Sequence, residues 1–457
     1  MQIKNKQQII ENAATELTRK ARTLALNALE LALNAADAKK LTKAKVSLKN
    51  SILTADCHSF DLRKFRNVYV VGGGKAGGSM AEVLEEVLGE RITDGIVSVP
   101  YGDSHETSII KLNSSGHPVP DEAGVAGTRV MLAIAERAEK DDLIICLLSG
   151  GGSSLMPLPR DGISVKDKQK LTEALLKSGA RINEINAVRK HISNFKGGWL
   201  AKKAYPATIL NLVLSDVVGD VLEFVASGPT VPDSTTFADA RGVLEKYGLW
   251  KNAPASIRKV LCDGEKGFVA ETPKAGDPAF SKVYTVILGN CRFASHAAVQ
   301  YLRSEGLNTL MLTSPLEGEA KDIGALLALV ANETAFSDNP APRPAAIVAS
   351  GETTVTVKGK GFGGRNQELV LSAALGLNDV DGVVVASLST DGVDGPTDAA
   401  GAIADGKTLA RAAKIGLNPE RCLADNDSYN FFSKLGDLIV TGPTGTNVND
   451  ISVIIVL

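Results

Sequence analysis

Between positions 9 and 36, apolar and small residues recur with a seven-residue period. Ile10, Leu17, Leu24 and Leu31 form one stripe, and Ala14, Ala21, Ala28 and Ala35 the stripe beside it. That spacing predicts one helix packed on a domain; a coiled coil would want sustained heptads and more flanking charge. The pattern then changes. Apolar runs at 67–71, 95–99, 143–148 and 208–214 predict buried strands, and the segments 76–88, 122–139 and 165–178 between them carry helical periodicity. In 76–88, Met80, Val83, Leu84, Val87 and Leu88 share one face. Continuous apolar strands alternating with amphipathic helices imply a parallel sheet covered on both sides, with right-handed crossovers.

The expected fold class is therefore α/β, with an N-terminal Rossmann-like, doubly wound parallel sheet. Residues 250–282 break the rhythm with Pro254, Pro273, Pro278 and mixed charge. This places an N-terminal domain at 1–255, a linker at 256–282 and a second α/β domain at 283–457. Within the second domain, strands are expected at 283–288, 309–313, 346–350, 353–358 and 383–389, and helices at 292–304, at 318–334 and from Asn366. The last two strands, 438–441 and 452–457, flank a Gly/Pro/Asn turn and read as a hairpin, so the second sheet is expected to be mixed.

Composition narrows the function. Of 457 residues, 44% are hydrophobic and 22% charged, which fits a globular chain and excludes extensive disorder. Lys and Arg number 50 against 52 Asp and Glu, and aromatics are 5%. Neither a basic surface nor stacking platforms for nucleic acid are indicated. No apolar run reaches the roughly 18–20 residues of a membrane span, and the first residues lack the apolar region of a signal peptide. Cys57, Cys146, Cys262, Cys291 and Cys422 are scattered, without a CxxC pair. They suggest neither a disulfide framework nor a zinc site, and fit a reducing, cytoplasmic setting.

The 44 glycines exceed the usual share of roughly 7%, and they cluster. Gly72-Gly73-Gly74-Lys75-Ala76-Gly77-Gly78-Ser79 follows a strand and opens a helix. Glycines let a backbone approach phosphate, and a helix start offers N–H donors and positive potential. Gly72, Gly74 and Gly77 match the dinucleotide spacing G-x-G-x-x-G, yet no acid closes the next strand: Asp94 precedes it and Asp103 follows well after. A Walker A loop fails too, because Gly78 stands where its lysine belongs. Lys75 remains as a cation inside the loop, either on an anion or solvated on a tight turn.

Ser149-Gly150-Gly151-Gly152-Ser153-Ser154 also follows a buried strand, which puts both loops on the sheet edge where open α/β folds bind ligands. Asp216 ends another strand on that edge, suited to Mg²⁺ or to a helix cap. In the second domain, Gly363-Gly364-Arg365-Asn366-Gln367-Glu368 presents Arg365 at a helix start, for a phosphoryl group or a surface carboxylate. Ser389-Thr390-Asp391-Gly392-Val393-Asp394 is too irregular for an EF-hand but offers Asp391 to a metal or a ribose. His117, in Gly116-His117-Pro118-Val119-Pro120, suits a base or a hydroxyl-orienting group. His191 lies in a helix beside Arg189 and Lys190, while His58 and His105 read as loop surface. The context of Ser153 and Ser154 lacks a G-x-S-x-G elbow, which disfavours serine hydrolysis.

Taken in order, these segments, with Asn186-Ala187-Val188-Arg189-Lys190-His191 and Ala226-Ser227-Gly228-Pro229-Thr230, resemble the class II glycerate 2-kinases. That family has a kinase-like N-terminal domain and a MOFRL-type C-terminal domain, and the resemblance runs from about residue 10 to the end. It implies ATP- and Mg²⁺-dependent phosphorylation of D-glycerate to 2-phosphoglycerate in a cleft between two α/β domains. The family's essential lysine falls on Lys75 and its essential arginine on Arg365. Nucleotide contacts are expected from Gly72, Gly73, Gly74, Ser149, Gly150, Gly151, Gly152, Ser153 and Ser154. Substrate contacts are expected from His117 and Arg189, and metal ligands from Asp216 with Asp391 or Glu352. The rival readings are an NAD(P)H-dependent hydroxypyruvate reductase, a label members of the family often carry, and a nucleotide-binding regulator without turnover. Partners other than small molecules are not expected, and oligomeric state is left open.

Overall fold

The computed structural model of this chain describes residues 1–457, the side chain of Val218 aside. It divides into two compact units, Ala38–Leu288 and Met1–Asp37 with Gly289–Leu457.

The first unit is built on six strands: Asn67–Gly73, Asp94–Pro100, Ile110–Ser115, Asp142–Ser149, Thr208–Leu214 and Val283–Gly289. Counted in chain order, their order across the sheet is three-two-one-four-five-six. Neighbours among the first five strands pair parallel throughout. This is the doubly wound Rossmann order, in which chain direction across the sheet reverses beside the first strand. Asp142–Ser149 and Thr208–Leu214 are buried along their whole length, as strands covered on both faces must be. Tyr69, Val71, Ile144 and Cys146 join Val125, Met131, Phe195 and Leu200 in one core. Gly77–Leu88 covers the other face, with Met80, Val83 and Leu84 fully buried. A short meander, Val46–Lys49, Ile52–Ala55 and His58–Asp61, precedes the sheet; these polar, four-residue strands left no periodic signal.

The boundaries differ from those expected. Residues 256–282 are not a linker: Ala255–Glu265 packs on Phe237–Lys246, and Ile257 and Leu261 enter a core with Phe237, Leu244, Val188 and Leu171. Val283–Gly289 is the last strand of the first sheet rather than the start of the second unit.

The second unit carries a mixed six-stranded sheet in the order Asn308–Glu319, Ala345–Thr354, Asp450–Val456, Val383–Ser389, Gly401–Asp405, Leu438–Ile439. Only the first pair is parallel. The expected hairpin does not form. Asp450–Val456 inserts between two central strands and Leu438–Ile439 pairs with Gly401–Asp405, because the strongly apolar last strand is buried along its whole length. Ile347, Val385 and Ile454 pack under Ala320–Ser337 and Arg365–Gly376.

The N-terminal periodic segment breaks into Lys6–Glu11 and Glu16–Ala35 and belongs to this second unit. The apolar face of Glu16–Ala35, with Leu24, Leu26, Leu29 and Leu33 buried, packs on Cys291–Ser304, Val383–Ser389 and Asp450–Val456, and a buried charge cluster ties it there. Arg22 is fully buried, and its guanidinium donates to Asp405 Oδ2 at 2.6 Å, Asp437 Oδ1 at 2.8 Å and the Ile9 carbonyl at 2.8 Å. Replacing one partner of such a buried pair strands the other charge. Arg22→Met is therefore expected to destabilise this unit by about 3–5 kcal/mol, read as an earlier urea midpoint. An unchanged midpoint would contradict the tether.

Candidate active site

The sheet's switch point lies between Asn67–Gly73 and Asp142–Ser149, whose C-terminal ends carry the two glycine loops. The loops touch through backbone. Lys75 N–H donates to the Gly150 carbonyl at 2.8 Å, and Ala76 N–H to Ser149 Oγ at 3.1 Å. Gly74, at φ +151, is where side-chain-free geometry is needed: a β-carbon there would lie 2.0 Å from Ser149 Oγ. Gly151, at φ +83, marks a second convergence. A β-carbon on it would lie 2.9 Å from His117 Cδ2 and 3.3 Å from Lys75 Cγ. Lys75 and His117, both half-buried, thus meet over Gly151. Ser154 Oγ, donating to the Pro118 carbonyl at 2.8 Å, fixes the His117 loop against the second glycine loop.

Ser153 faces another group of residues. Its Oγ lies 2.9 Å from Ser227 Oγ, which donates to Asn186 Oδ1 at 3.1 Å. Its carbonyl accepts from Lys196 Nζ at 2.8 Å. Two of the segments singled out in the sequence, around Asn186 and around Ser227, are thereby brought to this loop. Arg189 lies on the same helix as Asn186, Ile182–His191. Asp216, two residues beyond Thr208–Leu214, ends the adjacent strand on the same edge. Lys196 and Lys168 carried no motif in the sequence; only their burial reveals them. His191 is structural, since its ring bonds the Ala187 carbonyl at 2.7 Å and Glu271 Oε1 at 2.8 Å. His105 is not free loop surface: Asp103 Oδ1 contacts its Nδ1 at 2.9 Å and accepts its backbone N–H at 3.0 Å. The acid nearest in sequence to a ribose-binding position is thus engaged by a neighbour.

In the second unit Arg365 opens Arg365–Gly376. Its fork is bidentate on Asp450, with Nε to Oδ2 at 2.5 Å and Nη2 to Oδ1 at 2.9 Å, while Nη1 meets Glu352 Oε1 at 2.7 Å. Burial works against this charge; Asp450, then Glu352 and Asp394, more than offset it and hold the guanidinium above its ordinary pKa. Asp394 accepts the N–H groups of Asn366 at 3.1 Å and Gln367 at 2.9 Å, capping the helix. Burial, then the Asp450 charge, pushes the Asp394 carboxyl up to about 6 against those bonds. The glycines ahead of Arg365 serve packing. A β-carbon would lie 2.2 Å from the Asp425 carbonyl at Gly359 and 2.4 Å from Asp427 Cβ at Gly361. Lys360 N–H and Phe362 N–H donate to Asp425 and Asp427, each at 2.9 Å.

The three carboxylates expected to bind metal do not form one set within either unit. Asp216 belongs to the first unit, Asp391 and Glu352 to the second. Asp391 Oδ1 accepts Ser389 Oγ–H at 2.8 Å and Val393 N–H at 3.0 Å, closing a turn, and Glu352 pairs with Arg365. Among the described residues no group of three or more His, Cys, Asp or Glu side chains is placed to hold a metal. Mg²⁺ on a nucleotide needs only one or two protein carboxylates.

Fold and site together define a two-unit α/β protein with a cationic, glycine-lined site at a Rossmann switch point. Residues 24–262 match the family model described as a domain of unknown function, DUF4147, and residues 345–450 match the MOFRL family. The chain is 46% identical over 385 residues to the D-glycerate 2-kinase of Thermotoga maritima, covering 84% of this chain and 89% of that protein. It is 42% identical to the glycerate 2-kinase of Pyrococcus horikoshii, over 95% and 97% of the two chains. A crystal structure of glycerate kinase from Thermotoga maritima superposes with a TM-score of 0.81 at 41% identity, covering 95% of this chain and 99% of that one. The chain belongs to the class II glycerate kinase family.

Because Gly151 combines positive φ with contact to Lys75 and His117, Gly151→Ala tests the site more than the fold. It is expected to cost about 1–2 kcal/mol of stability from left-handed strain. By displacing the two side chains it is expected to lower kcat/KM by about tenfold or more. Melting temperature and initial rates check this; undiminished kcat/KM would contradict the convergence.

Proposed function

We propose that this protein is an ATP-dependent kinase that phosphorylates the 2-hydroxyl of D-glycerate, giving 2-phosphoglycerate and ADP. The observation that carries this reading is the meeting of Lys75, His117 and two backbone-bonded glycine loops at a Rossmann switch point, in a chain of the glycerate kinase family.

In this reading the N–H groups of Gly72–Gly74 and Gly150–Ser154 cradle the nucleotide phosphates, and the Lys75 ammonium neutralises charge on the transferring phosphoryl group. Phosphoryl transfer asks little covalent chemistry of the protein; positioning and charge compensation dominate. His117, held beside Lys75, orients the acceptor hydroxyl and takes its proton late. Arg365 is the second catalytic cation. Its fork rests on Asp450 and Glu352, so contact with a phosphoryl oxygen exchanges one carboxylate bond for another anion. Asp216 is the carboxylate assigned to Mg²⁺, which when bound neutralises phosphate charge and fixes phosphate geometry. No described helix is long and apolar enough to cross a membrane. Cys57, Cys146, Cys262 and Cys422 are thiols, in keeping with a reducing, cytoplasmic setting.

The test supplies ATP and D-glycerate and couples product to enolase with no phosphoglycerate mutase. Signal without the mutase is expected; signal only with it would mean transfer to C3, and oxidation of NADH by hydroxypyruvate without ATP would mean a reductase. Lys75→Ala and Arg365→Ala are each expected to lower kcat by about two orders of magnitude or more, with an unchanged far-UV spectrum. Near-wild-type turnover in either variant would remove that residue's role.

A further inference from the structure

Buried cations in this chain are handled in two different ways. Arg22 is paired with Asp405 and Asp437. Lys190, 1% exposed, meets Asp233 at 2.6 Å and Glu223 at 3.1 Å. Arg160 lies over the rings of Trp199 and Phe237. Lys168 and Lys196 are also buried, 3% and 0% exposed, yet no carboxylate meets either of them. Each ammonium reaches one backbone carbonyl at 2.8 Å, Lys168 that of Pro157 and Lys196 that of Ser153. An ammonium has three donors, so both keep donors to spare.

Arg189 completes the group. It is half-buried on Ile182–His191 and makes no hydrogen bond or ion pair with any described residue. The three charges sense one another: Lys196 is depressed by burial first, then by Lys168 and Arg189, and lies well below its ordinary pKa. Burial, then the charge of Arg189, brings Lys168 down to about 7. Three basic groups crowded without a counter-ion hold their protons weakly in the unliganded fold, and an anion from outside restores their charge. The Ser153 loop supplies the location, since Lys196 is bonded directly to it.

We propose that Lys168, Arg189 and Lys196 form an oxyanion seat against the Ser153 loop, left without a protein counter-ion so that it receives the carboxylate of the hydroxy-acid substrate. This rests on the kinase reading above and adds the determinant that makes an acid, rather than a neutral polyol, the acceptor. A nucleotide phosphate is the other source of the same oxyanion chemistry, and separate KM measurements distinguish the two.

The experiment uses the full chain with Arg189→Gln, Lys168→Met and Lys196→Met. It measures KM for D-glycerate, KM for ATP, and melting temperature with and without D-glycerate. Loss of a charge-assisted bond is expected to raise KM for D-glycerate by about tenfold or more in each variant and to leave KM for ATP within about twofold. The methionine variants are expected to melt no lower than the wild type without ligand, and to lose the rise that D-glycerate gives the wild type. A purely structural role predicts the reverse: lower melting with KM unchanged. A rise confined to KM for ATP would overturn the carboxylate assignment in favour of phosphate, and both KM values within about twofold of wild type would overturn the seat itself. If the buried methionine variants fail to fold, Arg189→Gln, half-buried and partnerless, decides alone. A wild type that releases no ADP from ATP and D-glycerate refutes the kinase reading; the seat then stands or falls on whether Arg189→Gln abolishes the melting rise given by D-glycerate.

Discussion

Two strands that diverge at a switch point can hold a small anionic ligand only if the loops leaving them lie close and carry no bulk. Here that constraint is met by backbone contact between Lys75 and Gly150, with Ser149 Oγ occupying the space a side chain on Gly74 would need. Everything else in the site hangs on this contact. It aims Lys75 across Gly151, leaves room there for the His117 ring, and sets Ser153 against Ser227 and Lys196. A sheet edge alone supplies a crevice; this contact turns it into a surface of N–H donors bordered by an ammonium.

Charge is then distributed unevenly. In the second unit Arg365 is surrounded by more carboxylate than it neutralises, with Asp450 and Glu352 in contact and Asp394 close enough to be felt. In the first unit Lys168, Arg189 and Lys196 have no carboxylate at all. The fold pairs Lys190 and Arg22 without difficulty, so the unpaired group is a feature of position rather than of composition. In a chain with nearly equal numbers of acidic and basic residues, this local imbalance lies against the second glycine loop.

Much of this was legible in the sequence where periodicity is strong or glycines cluster. The central strands of the first sheet, both glycine loops, the mixed second sheet and the placement of Lys75 beside the second loop follow from apolar runs ending in glycine and from the resemblance to glycerate 2-kinases. What escaped depends on contacts distant in the chain. The N-terminal helix reads as part of the first domain until Arg22 is seen with Asp405 and Asp437. The last strand reads as half of a hairpin because nothing local says that Ala345–Thr354 and Val383–Ser389 leave a gap for it. The segment before Arg365 reads only as a lead-in that presents this side chain at a helix start; its glycines also make room for Asp425 and Asp427, which are distant in the chain. Lys168 and Lys196 sit in unremarkable sequence, and only burial without a carboxylate partner singles them out.

The most direct measurement is a crystal structure of the wild-type chain with a non-hydrolysable ATP analogue and D-glycerate. The account predicts the phosphates within hydrogen-bonding distance of the N–H groups of Gly72–Gly74 and Gly150–Ser154, with Lys75 Nζ on the terminal phosphate. Phosphates bound away from the switch point, with Lys75 turned to solvent, would contradict it.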